Sequence, residues 1–224
     1  MRSLYKYKLP LLGLMMVLIS TPIVNAQVGK LYPVDEAAKD PTFFTFRARL
    51  LKAIQKKDAS FLLSIVDPKI ANNFGGDDGL LQFKRIWHPE RPTSPVWTEL
   101  LAALVLGGKF DKDQSFAAPY LFNSFPEALD SFEHSAIIED GVRVRREPNT
   151  RGTVIRNLSF DIVKLGGGEN RRNPGEKREW VLVELADGQR GYVANEYIRS
   201  PIDYRAIFEK KNGKWTMTAF IAGD

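Results

Sequence analysis

The hydrophobic period of this chain changes at Ser135, and that change limits what each half can become. Before it, apolar residues recur at helical spacing. After it, they alternate in short runs broken by Gly, Pro and Asp-Gly, the pattern of strands joined by tight turns. A helical layer followed by a set of short strands makes an α+β chain.

The helical half can be read turn by turn. Asp40-Pro41 predicts a helix start, with Asp40 as N-cap and Pro41 at the first helical position. Phe43, Phe46, Leu50, Leu51 and Ile54 then share one face. Asp58 caps a second short helix, which Asp67-Pro68 ends. Leu80, Phe83, Ile86 and Trp87 predict a third, stopped at His88-Pro89. Ser94-Pro95 opens a fourth, closed by Gly107-Gly108. Asp77-Asp78-Gly79 reads as a helix cap, and Ala118 to Phe122 as a short strand or a packed loop.

In the second half the strand candidates are Ala136–Ile138, Val142–Arg145, Val154-Ile155, Ile162–Leu165, Trp180–Leu185 and Gly191–Val193. Val181, Val183 and Leu185 fall on one face, and Trp180, Leu182 and Glu184 on the other. The last 24 residues stand apart. Their two strands, from Tyr204 to Lys211 and from Lys214 to Ile221, meet at Asn212-Gly213, a strong hairpin signal. A lone hairpin is marginal in water, and the helices have apolar stripes without a sheet. The simplest expectation packs the final hairpin on the helices, with the intervening strands inserted between them.

Composition narrows the function. Arg2, Lys6 and Lys8, the apolar run from Leu9 to Ile19 and the small residues up to Ala26 read as a secretory signal over residues 1–26. That places the mature protein in the periplasm or outside the cell, with no transmembrane anchor after cleavage. The leader holds three basic and no acidic residues, so the net charge of +5 falls to +2 on its removal. Such a balance gives no reason to expect nucleic acid. With no Cys and only His88 and His134, neither a thiol nucleophile nor a His-rich metal site is expected. Asp111-x-Asp113-x-Ser115 starts like a calcium loop, but Phe116 and Phe122 stand where such a loop needs Gly and Glu. The expectation is a protein with no catalytic set, no cofactor and no metal.

The order of motifs from Gly141 to Ile198 carries a resemblance. Val142-Arg143-Val144-Arg145-Arg146-Glu147-Pro148 comes first, then Val154-Ile155, Leu158 and Ile162-Val163. Trp180 leads an alternating strand, and Gly188, Gly191, Tyr192 and Val193 close the set. This order resembles the bacterial SH3-like (SH3b) domains attached to cell-wall proteins, over roughly 60 residues. Arg143 departs from the Asn usual in that family, and the loop from Gly166 to Glu179 is longer than usual. The resemblance implies a small β-barrel over residues 135–199 that binds or braces. It also implies a groove for cell-wall peptides or for a partner domain. More distantly, helices followed late by the Gly213-Lys214-Trp215 hairpin resemble the cystatin-like α+β cone of the nuclear transport factor 2-like superfamily. The expected organisation is a signal (1–26), a helical region (27–134), the SH3-like barrel (135–199) and a hairpin (200–224) packed on the helices.

Three readings of function follow. The first is a non-enzymatic exported module that recognises peptidoglycan or a cell-envelope protein. Its candidate ligand-binding residues are Trp180, Tyr192, Tyr197, Arg171 and Arg172. Tyr and Trp suit both recognition surfaces and small cores. Arg145 is expected to brace neighbouring turns. The second reading is a small-ligand pocket, open to catalysis, walled by Phe44, Trp87, Trp97 and Trp215. The third is a structural assembly partner.

Overall fold

In a computed structural model of the protein, residues 29–167 and 179–224 are described, and residues 1–28 and 168–178 lie outside them. The described residues form an α+β structure with two sheets.

The first sheet is built around the C-terminal hairpin. Its strands are β1 (Val66–Ala71), β2 (Lys109–Phe110), β3 (Phe116–Ala118), β11 (Arg205–Lys211) and β12 (Lys214–Ile221), in the order β1-β12-β11-β3-β2. Asn212 and Gly213 both take positive φ, 50° and 76°, which the two-residue turn requires. The helices lie against this sheet: α1 (Pro41–Lys56), α2 (Ala59–Ile65), α3 (Leu80–Trp87) and α4 (Val96–Leu104). Asp40 caps α1 as expected, its carboxylate accepting from the Thr42 and Phe43 amides. Asp58 caps α2 through the Phe61 amide. A short helix, α5 (Tyr120–Ser124), follows β3.

α2 ends before Asp67-Pro68, as expected, and the segment that follows, Val66–Ala71, is a strand running parallel to β12. An edge position explains why a Pro is tolerated in it. Asp78 does not cap α3, whose start has no side-chain cap; its carboxylate accepts from the Asn72 amide and shapes the turn after β1.

One core fills the space between helices and sheet. Phe43, Phe83, Phe116, Phe208 and Phe220 are fully buried. Phe43 alone sits 4.1 Å from the Phe116 ring and 4.8 Å from Trp215. Burial of this kind contributes about 1.5–3 kcal/mol per large side chain.

The second sheet comprises β4 (His134–Ile137), β5 (Val142–Arg145), β6 (Val154–Leu158), β7 (Ile162–Leu165), β8 (Trp180–Glu184), β9 (Arg190–Ala194) and β10 (Ile198–Arg199). Its order is β10-β4-β7-β8-β9-β5-β6. A closed barrel was expected; among the described residues the ladder is open, with β6 and the two-residue β10 as its edges. The sheet still curves around one aliphatic core that includes Ile137, Val144, Val163, Val183, Val193 and Ile198. Gly191 allows that curvature: a Cβ there would lie 2.6 Å from a Val144 methyl.

The chain leaves the first sheet after Ala118 and returns to it at Arg205, so the second sheet is inserted within the first unit. Residues 29–36 tie the two together. Leu31 donates its amide to the Phe160 carbonyl at 2.7 Å, and Glu36 donates to Gly108 at 2.8 Å. The buried Tyr120 hydroxyl donates to the Leu31 carbonyl, and burial pushes its pKa up to about 12.

Candidate functional site

Strand alternation sets what the second sheet shows to solvent. In β8, Val181 and Val183 enter the core, so Trp180, Leu182 and Glu184 face outward. In β9, Gly191 and Val193 enter it, so Tyr192 and Ala194 face outward. The pairing of Trp180 with Ala194 brings the indole to the end of β9. There the chain makes a turn of 3₁₀ helix over Asn195–Tyr197.

Two backbone hydrogen bonds gather the rest of the site. Asn195 donates its amide to the Glu179 carbonyl at 2.9 Å, placing Glu179 beside the turn. Ile138 donates to the Tyr197 carbonyl at 3.0 Å, which brings Glu139-Asp140-Gly141 against the tyrosine. The result is an open groove of about 780 Å³. Trp180 and Tyr197 provide its aromatic wall, Arg143 and Arg145 face it from β5, and the 139–141 turn and Glu196 form its rim.

Arg145 has the bracing role expected of it: its guanidinium donates to the Gly152 carbonyl at 2.7 Å and holds the turn that carries Thr150. The Tyr197 hydroxyl is held above the usual tyrosine range by a hydrogen bond to the Glu196 carboxylate, with the charge of Glu139 adding to it.

The candidate residues therefore separate. Trp180 and Tyr197 come together in the groove. Tyr192 is half-buried on the same outer face, opposite Arg145 and Leu182 in the ladder, but is not part of the groove lining. Arg171 and Arg172 lie outside the described residues. Sequence reasoning missed Glu139, Asp140, Glu179, Asn195 and Glu196. Counting a two-residue hairpin outward from Asp187-Gly188 pairs Trp180 with Asn195, one residue from its observed partner Ala194, and so would have pointed to the last two.

The walls proposed for a second pocket are used otherwise. Phe44 is exposed. Trp87 packs 4.9 Å from both Tyr204 and Phe220, and Trp215 donates its indole N–H to the Thr42 hydroxyl at 3.0 Å. Trp97 is buried beside Leu100 in the same core and edges an open groove of about 620 Å³ with Leu51 and Leu101, while Trp215 edges a different one of about 820 Å³ with Thr42 and Lys210. Asp113 closes a local turn by accepting from the Ser115 amide. His88 ends α3 in a left-handed conformation, 3.4 Å from Glu90. Among the described residues no three His, Cys, Asp or Glu converge as a metal site, and no helix is long and apolar enough to cross a membrane.

No family model matches the chain, and no curated protein matches its sequence.

Proposed function

We propose that the protein is a non-enzymatic exported binding module, and that its second sheet is an SH3-like unit that holds a cell-wall peptide or an envelope protein in the Trp180–Tyr197 groove. The observation that carries this reading is the split use of aromatic residues. The buried core of the second sheet is aliphatic with only Tyr197 packed at its margin, so Trp180 is not needed to fill it and lines an open groove with that tyrosine. Aromatic side chains placed in this way provide large contact area at little entropic loss. The motif order from Val142 to Val193 supports the SH3-like assignment, and the apolar segment ending at Ala26 supports export. On this reading the helix-covered sheet is the support that holds the module.

The test is co-sedimentation of the mature chain with purified peptidoglycan sacculi. Wild type and Tyr192→Ala should be retained alike, while a Trp180→Ala, Tyr197→Ala variant should stay in the supernatant. Equal retention of all three, or of none, would overturn the reading.

A further inference from the structure

The groove has a charge character that its aromatic wall does not explain. Among the described residues, Glu139, Asp140, Glu179 and Glu196 line it, against Arg143 and Arg145. The chain as a whole leans the other way, with 32 Lys and Arg against 27 Asp and Glu. Among the described residues none of these four carboxylates forms an ion pair with a basic side chain, although ion pairs are common elsewhere on the surface. Of the two guanidiniums, that of Arg145 is committed to the Gly152 carbonyl.

The hydrogen-bonding capacity is equally one-sided. Ionised carboxylates only accept. Asn195, which lines the same groove, keeps its side-chain carbonyl oxygen buried and without a hydrogen-bond partner. A ligand that completes this surface must bring donors and positive charge. An anion would find one uncommitted guanidinium among four carboxylates. Trp180 and Tyr197 complete the complement, since an aromatic face attracts a cation and covers an aliphatic stem.

We propose that the groove recognises a peptide through a free primary amino group, the ammonium drawn to the acidic rim at Glu139 and Glu196 and the stem carbons lying against Trp180 and Tyr197. This rests on the groove being the binding surface and names what it selects. Arg143, at the opposite side, is left to meet a carboxylate or carbonyl of the same peptide.

Two experiments separate this inference from the reading it rests on. In the first, the mature chain is titrated with the probe acetyl-Ala-Lys-Ala-amide and with its Nε-acetylated form, following tryptophan fluorescence. Trp180 is half-buried in the groove, whereas Trp87, Trp97 and Trp215 are 4%, 4% and 7% exposed, so Trp180 should dominate the response. The free-amine peptide should bind at least ~10-fold more tightly than the acetylated one. A Glu139→Gln, Glu196→Gln variant should lose ~10-fold or more of that affinity, and added salt should weaken it. Equal response to both peptides, a response unchanged in the variant, or no response to either would overturn the amine inference.

In the second, sacculi are used before and after acetylation of their amines. Retention of the wild type on native sacculi, lost on acetylated ones, supports it. Equal retention on both, still abolished by Trp180→Ala, Tyr197→Ala, would overturn the amine inference and leave the groove reading standing. Retention indifferent to all of these changes would overturn both.

Discussion

The two sheets of this protein spend their aromatic residues in opposite ways. Around the helix-covered sheet, Phe43, Phe83, Trp87, Phe116, Phe208 and Trp215 are buried against one another. Around the inserted sheet the buried core is Val, Ile and Leu, Tyr197 packs only at its margin, and Trp180 stands with it at a groove. A large interlayer space needs large rings to fill it, while a tightly curved sheet has room only for short branched chains. Where packing does not claim an aromatic residue, its position is open to recognition. On the proposed reading, the first region is the support and the second carries the binding surface.

The harshest way to break this division is to delete residues 200–224. β1 pairs only with β12, and β3 is held on one side by β11, so the deletion removes the middle of the first sheet. Cooperative helical melting, followed by circular dichroism, should be lost. A truncated chain that kept it would show that the helices do not depend on the hairpin.

Next in size, Phe43→Ala should destabilise the protein by about 3–5 kcal/mol in denaturant titrations, because a ring touching five other rings leaves a cavity that cannot close. Val183→Ala, in the smaller core, should cost about 2 kcal/mol. If the two losses came out equal, the contrast between a ring-filled and an aliphatic core would have no energetic content.

A smaller effect concerns charge. Lys211 donates to the buried Asp67 carboxylate at 2.7 Å in the first sheet, and this bond, with that from the Lys69 amide, holds the carboxyl below its ordinary range. The folded state thus gives up its proton more readily than the unfolded chain. The stabilisation is present above the unfolded value of about 4 and is lost as pH falls through the lower folded value. Asp67→Asn should therefore cost about 1 kcal/mol at neutral pH, and the difference should fade on acidification. The Arg190–Glu184 pair of the inserted sheet, at 3.0 Å but largely in water, should give less than about 0.5 kcal/mol when broken. Equal effects in chemical denaturation would remove this part of the contrast.

Much of this architecture was written in local chemistry. Asp40-Pro41, Asp58 and Asn212-Gly213 act within a few residues of themselves, so the capped helices and the final hairpin were legible. β1 was not, because its strand identity comes from parallel pairing with β12, over a hundred residues away, while Asp67-Pro68 locally signals a break. The open ladder was hidden for a similar reason, since closure is decided by which edges meet and not by alternation within a strand. At the site, Trp180 and Tyr197 were found by residue type. The carboxylates were missed because the backbone bonds that gather them, from Ile138 to the Tyr197 carbonyl and from Asn195 to the Glu179 carbonyl, are made across the fold.

The central claim, that recognition belongs to the inserted sheet, meets its most direct test in the four tryptophan indole N–H signals of the protein in a ¹⁵N NMR spectrum. Each can be assigned by single Trp→Phe substitution. On addition of soluble peptidoglycan fragments, the Trp180 signal should shift while those of Trp87, Trp97 and Trp215 stay in place. Shifts confined to those three, with Trp180 unmoved, would contradict the account and move the binding site into the helix-covered half.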